Sequence, residues 1–231
     1  MDFLPVLRDK LAAYGALLTP DADLDAPVPS CGEWTLYDLT DHLVQGNLWV
    51  VTAVAEGRGN HHGEPAPRDP AALRASFDAS AAAIVESLSA APETPAWTFT
   101  SAMPRNVGFW RRRRAQETLM HLWDAQAALG KPDPFELDLA LDGITEVFEL
   151  FAPRMVSRGL APEPAAALTV RATDADRTWT YGPGTPVAEI AGPASDLLLV
   201  LWGRKPAGDP ASAWNGDRAA GERILAGPLV P

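Results

Sequence analysis

The chain is short of thiols, lysines and long apolar runs, and each shortage excludes something. A single cysteine, Cys31, stands in 231 residues, so no internal disulfide framework is available and a reducing compartment is expected. Lysine occurs only at Lys10, Lys131 and Lys205, and the formal net charge is -11. So acidic a chain is expected to bind neither nucleic acid nor an anionic membrane surface. No segment approaches the ~20 apolar residues of a bilayer span. The opening MDFLPVLRDKL mixes charge into its apolar positions, unlike a secretory leader. The expectation is a cytoplasmic protein. Core material is abundant: hydrophobic residues make up 47% and charged residues 21%, the composition of one large folded domain or two modest ones.

Periodicity predicts helices first. Phe3, Leu4, Leu7, Leu11, Tyr14 and Leu18 recur at three- and four-residue steps, an amphipathic stripe. Thr35 with Asp38 three positions later reads as a capping-box variant opening a second helix over about 36–56. A third, alanine-rich helix fits 70–90, a fourth runs from Val107 to Gly130, and a fifth pattern spans 135–158. Helices of this length joined by short loops predict an antiparallel bundle over 1–158. After GLAPEPAA the pattern changes. Leu168–Arg171 and Thr178–Tyr181 alternate around turn residues and predict a hairpin. Pro186–Ala191 fits a third strand, Asp196–Trp202 an apolar helix, and Trp214-Asn-Gly a strand leading into a short helix. The expected class is α+β, with a small α+β domain over 167–231.

Only four histidines are present. His61 and His62 fall in the Gly- and Pro-rich loop GRGNHHGEPAPRDP and read as solvated loop residues. His42 and His121 lie inside helices. Glu117 and His121, four apart, point the same way, and Trp110, Arg113, Arg114 and Asp124 share their arc. On the second helix Asp38, Gln45, Gly46 and Trp49 share an arc with His42. A glutamate and a histidine facing a bundle interior need a partner or an ion. His42, Glu117 and His121 offer two imidazoles and a carboxylate, a set suited to a catalytic zinc with an open position. The alternative at this point is a surface Glu–His pair with His42 buried elsewhere. Arg113 and Arg114 are candidates for docking a substrate carboxylate, the alternative being a solvated RRRR face, which is the reading for Arg111 and Arg112. Trp49 and Trp110 are candidates for lining a pocket, and Trp34 and Trp123 read as core. Cys31 reads as a turn residue rather than a nucleophile, since no Cys–His pair is visible near it in sequence.

Two segments then carry a resemblance. PSCGEWTLYDLTDHL resembles the opening of the DinB-like metal-binding bundle superfamily, with a Cys-x-x-Trp-Thr turn before a ligand histidine. RRRRAQETLMHLWDA resembles that superfamily's Glu-x-x-x-His helix with its following Asp-Ala. IAGPASDLLLVLWGR, with WNGD after it, is similar to the second domain of the mycothiol-dependent maleylpyruvate isomerase family. The resemblance implies a zinc or other divalent-metal site on His42, Glu117 and His121. It also implies mycothiol as a cosubstrate, and an active-site arginine that falls on Arg204. Asp124 fits the carboxylate that orients a ligand imidazole, and Asp38 fits either that task or helix capping.

A thiol of pKa ~8.5 becomes a thiolate on a divalent ion, so the implied activity is an isomerase or S-transferase acting on a small, electrophilic, anionic substrate. Alternatives are a metal hydrolase, with water at the open position, and a non-catalytic binding module. Partners are expected to be small molecules, with the chain a monomer or homodimer.

Overall fold

Four N-caps set the first half of the chain. Asp2 accepts from the Leu4 amide to open α1 (Phe3–Leu17). Thr35 opens α2 (Leu36–Ala55) through a full capping box with Asp38. Asp69, with Pro70 already holding a helical φ at the first position, opens α3 (Pro70–Ser87). Asn106 accepts from the Phe109 amide and opens α4 (Val107–Ala128). The computed structural model describes residues 1–209 and 211–231. In it α1 packs on α4 and α2 on α3, while α1–α3 and α2–α4 contacts close the ring of four. Leu7, Leu36, Leu43, Leu73 and Ile84 are fully buried between them. Each such leucine or isoleucine contributes roughly 1.5–3 kcal/mol.

The chain divides into two compact units, Met1–Asp133 and Pro134–Pro231. The sequence reading placed the boundary at 158 and the fifth helix in the bundle. That helix instead belongs to the second unit. It runs as α5 (Leu137–Glu146), a π-helical stretch (Val147–Phe151) and α6 (Ala152–Ser157). Pro153 has no N–H to extend the ladder, and the π stretch ends as the chain reaches it. The physical reason for the reassignment lies in α7 (Ala194–Leu201), whose ASDLLLVL sequence is apolar on nearly every side. A helix of that kind must be covered, and α5 covers it. The periodicity of α5 showed one apolar face without showing which partner would take it.

The rest of the second unit follows the expected pattern. β1 (Ala167–Ala172) and β2 (Arg177–Tyr181) form an antiparallel hairpin, with Val170 opposite Trp179. β3 (Pro186–Gly192) lies parallel to β1, and β4 (Ala213–Gly216) runs antiparallel to β3. The order β2-β1-β3-β4 leaves β2 and β4 outermost. α8 (Arg218–Leu225) packs on β3. The fold is α+β. Among the described residues no helix is long and apolar enough to cross a membrane.

Candidate metal centre

Each ligand candidate is placed by its helix. His42 lies two turns into α2, which the Thr35–Asp38 capping box starts at a fixed residue. Glu117 and His121 sit one turn apart on α4. Glu117 Oε1 lies 3.1 Å from His42 Nε2 and 3.2 Å from His121 Nε2. The three ligand atoms all fall within 4.8 Å of one another. Ligands ~2.1 Å from a tetrahedral zinc stand about 3.4 Å apart, so each histidine–glutamate pair is within a few tenths of an ångström of that spacing. Two imidazole nitrogens converging on one carboxylate oxygen are held there either by their own N–H donors or by a cation that all three ligate. The donor set therefore fits a divalent metal.

The surroundings grade from buried to open. The His121 side chain is 8% exposed and Glu117 18%, whereas His42 is 39% exposed. His121 Nδ1 meets Asp124 Oδ2 at 3.0 Å, which turns Nε2 toward Glu117. This is the carboxylate–histidine arrangement that fixes a ligand's tautomer. Burial pushes the Glu117 carboxyl up, but the Arg113 guanidinium, then His121, outweigh it and hold it well below the usual range. Burial likewise disfavours a charged His121, yet Glu117 and the bond to Asp124 raise its pKa to about 10. A cation ligated by Glu117 and His121 would compete with the proton that this raised pKa favours.

The two arginines are buried, against the solvated-face alternative. Arg113 donates to Glu117 Oε2 at 2.7 Å. Arg114 donates to Asn47 Oδ1 at 2.8 Å, and Asn47 in turn donates to Ser80. Burial lowers the Arg114 pKa to about 10. Gly46 makes room for this cation, because a Cβ there would stand 2.8 Å from the Arg114 Nη1. Arg111 is not a solvated residue either. Its guanidinium donates to the carbonyls of Leu88 and Ala90 and ties α4 to the end of α3. Periodicity showed the arc of these arginines but not how deep it lies.

Other candidates move. Asp38 serves the cap: its Oδ2 accepts from the Thr35 amide and hydroxyl at 2.9 and 2.7 Å, with Arg68 at 4.0 Å. It does not orient His42. Trp110 is fully buried, donates to the Trp97 carbonyl, and stands in a cluster with Trp49, Trp97, Phe99 and Phe109. It is core, not pocket wall. Trp49 is half-buried in the same cluster and donates to the Gly59 carbonyl. Trp34 goes the other way, being 36% exposed with its ring 5.0 Å from that of His42. Trp123 is half-buried. His61 is also half-buried, its Nδ1 3.4 Å from the Thr52 hydroxyl, while His62 is exposed. In the second unit Arg204 follows α7, where its Nη1 donates to the Trp202 carbonyl at the helix end.

Two residues that sequence reasoning missed stand behind His121. Ser30 donates to Asp124 Oδ1 at 2.5 Å, and the Cys31 thiol lies 3.6 Å from Asp124 Oδ2. Cys31, His121 and Asp124 form a second group of potential ligand atoms. Ninety or more positions separate the cysteine from its partners, so no local pattern could reveal the contact. The Cys-x-x-Trp turn before the ligand helix was the one available signal.

Comparison with known proteins shows the family. The mycothiol maleylpyruvate isomerase N-terminal domain model matches residues 4–126, and the corresponding C-terminal domain model matches 138–223. Two uncharacterized proteins of Mycobacterium tuberculosis, from strains CDC 1551 / Oshkosh and ATCC 25618 / H37Rv, are each 31% identical over 157 residues. Those alignments span 66% of this chain and 79% of theirs. The crystal structure of a mycothiol-dependent maleylpyruvate isomerase has the same fold, with a TM-score of 0.68 at 15% identity over 92% of this chain and 91% of that one. A histidine-to-alanine mutant of that enzyme matches with the same score at 14% identity. With both domain models matched in order, the chain belongs to the mycothiol maleylpyruvate isomerase family.

Proposed function

We propose that the chain is a divalent-metal-dependent enzyme that uses mycothiol as cosubstrate, acting as an isomerase on a small anionic substrate with a conjugated double bond. The observation that carries this reading is the convergence of His42 Nε2, Glu117 Oε1 and His121 Nε2 on one point, with His42 at the open side. Zinc suits the two-imidazole, one-carboxylate set. A divalent ion held by His42, Glu117 and His121 would supply the acidity that favours the thiolate form of the cosubstrate at neutral pH.

The chain's own residues account for the rest. Asp124 fixes the His121 tautomer, and Arg113 keeps Glu117 ionised and ready to ligate. Arg113 and Arg114 with a divalent ion carry four positive charges against the two of Glu117 and Asp124, taking both imidazoles as neutral. The excess favours an anionic sulfur and an anionic substrate group in the same place. Thiolate addition to one carbon of a cis double bond sends the π electrons into the conjugated carbonyl and leaves a single bond free to rotate. Their return expels the thiolate and leaves the trans isomer, so the thiol is regenerated.

Arg204 is the proposed partner of the substrate carboxylate, through bidentate guanidinium geometry. Its bond to the Trp202 carbonyl supports a helix-end role as well. Arg204→Lys separates the two: anion binding expects a clear fall in kcat/KM at unchanged Tm, and unchanged kinetics leave only the helix-end role. The direct test of the whole reading is elemental analysis of the purified protein followed by isomerisation assays with and without mycothiol. About one divalent ion per chain and strict thiol dependence are expected. A metal-free protein that is fully active, or one indifferent to the thiol, overturns the reading.

A further inference from the structure

One short loop touches both histidines of the candidate metal set. Residues 28–34 fold back on themselves: the Val28 amide donates to the Trp34 carbonyl, the Cys31 amide to the Val28 carbonyl, and the Trp34 amide to the Cys31 carbonyl, at 2.8, 3.0 and 3.2 Å. Gly32 turns the loop with φ +65°, a conformation side chains oppose. The loop runs straight into Thr35, whose capping box locks it to the start of α2. At one end of the loop Ser30 donates at 2.5 Å to Asp124, the carboxylate that holds His121 Nδ1. At the other end Trp34 lays its ring 5.0 Å from His42 at 47°.

Trp34 gains little from burial, since it is among the few exposed large apolar residues. The His42 ring, 39% exposed, meets Glu117 and the edge of His121 from α4, and Trp34 is the further ring that lies against it. The pairing makes sense if its product is the orientation of the imidazole. A ligand imidazole that shares the charge of a cation is also attracted to an indole face.

Resting on the metal reading above, we propose that Ser30 and Trp34 are positioning residues for the metal site. Ser30 acts on His121 through Asp124, and Trp34 acts directly on His42, so one loop sets the geometry of both imidazoles. The Cys31 thiol, a weaker and longer donor to the same carboxylate, is secondary. Loss of such outer partners weakens metal binding by 10–100-fold.

The test measures Zn2+ affinity of the full chain by chelator competition, and the visible spectrum of the Co2+-loaded protein. Ser30→Ala and Trp34→Leu are expected to weaken Zn2+ binding by about 10–100-fold and to alter the Co2+ bands, with little change in the Tm of the metal-free protein. Ser30→Thr, which keeps the hydroxyl, and Trp34→Phe, which keeps an aromatic face, should restore most of the affinity. Cys31→Ser should stay near wild type. The conservative pair also covers the case in which Ser30→Ala or Trp34→Leu fails to fold. If the wild type binds Zn2+ tightly and the folded variants bind it equally well with unchanged Co2+ spectra, the positioning role is wrong and the metal reading stands. Absence of Zn2+ binding by the wild type instead removes the metal reading itself.

Discussion

Among the described residues, every buried polar or charged side chain except Glu146 lies in the Met1–Asp133 unit. Arg113, Arg114, His121 and Asp124 sit inside its helices, in contact with Glu117, Asn47 and Ser30. The Pro134–Pro231 unit fills its interior with Val170, Ile190 and the Leu197–Leu201 run of α7. Its Arg171–Glu189 and Arg218–Glu222 pairs stand at the surface. An apolar interior alone suffices to hold a helix-on-sheet unit together. A bundle that accepts the desolvation of several charges does so for another reason, because an apolar replacement would often be as stable or more so. The candidate metal set of His42, Glu117 and His121 lies in that first unit.

The largest effect should come from Glu117→Ala, which removes a candidate ligand and breaks the buried Arg113–Glu117 ion pair. We expect bound metal to fall from about one per chain to near zero and stability to drop by about 3–5 kcal/mol, measured by elemental analysis and urea unfolding. A stable, metal-loaded variant would break the comparison at its strongest point. Gly46→Ala comes next. The added methyl gains up to ~1 kcal/mol of helix propensity but meets the Arg114 guanidinium, and overpacking costs about 1–3 kcal/mol, so a net loss is expected in the urea midpoint. An increase in stability would show that Arg114 has room to move.

Asp38→Ala should cost about 1 kcal/mol as a lost cap, with a pH signature. Hydrogen bonds from the Thr35 amide and hydroxyl lower the Asp38 pKa. Its contribution is therefore present above the unfolded value of about 4 and fades as pH falls through the lower folded value. The Tm gap between wild type and variant should narrow on acidification; a gap that widens rejects the assignment. The smallest effect belongs to the second unit, where Arg171→Gln breaks a pair of side chains 45% and 26% exposed. No resolvable shift in the urea midpoint is expected, and a clear one would mean that surface pairs matter more there than the comparison allows.

Much of this was legible in the amino-acid order, for identifiable reasons. The helices around Leu7, Leu43, Ile84 and Leu119 carry local signals, since spacing and caps are properties of neighbours. The convergence of His42 with Glu117 and His121 followed from helical arcs together with a resemblance. What stayed hidden depends on distant partners. Nothing near Leu137 says that α5 will cover α7 rather than join the bundle. The RRRR run looks like a wet surface until Gly46 and Asn47 arrive from α2 to receive Arg114. Trp34 looks like core because tryptophan usually is, and Ser30 is anonymous until Asp124 stands beside it.

The outer strands of the sheet have a consequence of another kind. β4 has four residues and ends at Gly216, with φ +81°. β2 has five, opening on Arg177 and carrying exposed threonines. Short strands bearing charge, and a backbone that turns away at the end, make poor templates for a further strand. Concentrated protein should therefore resist edge-to-edge polymerisation, and any aggregates that form on heating should begin from unfolded chains rather than from the native sheet.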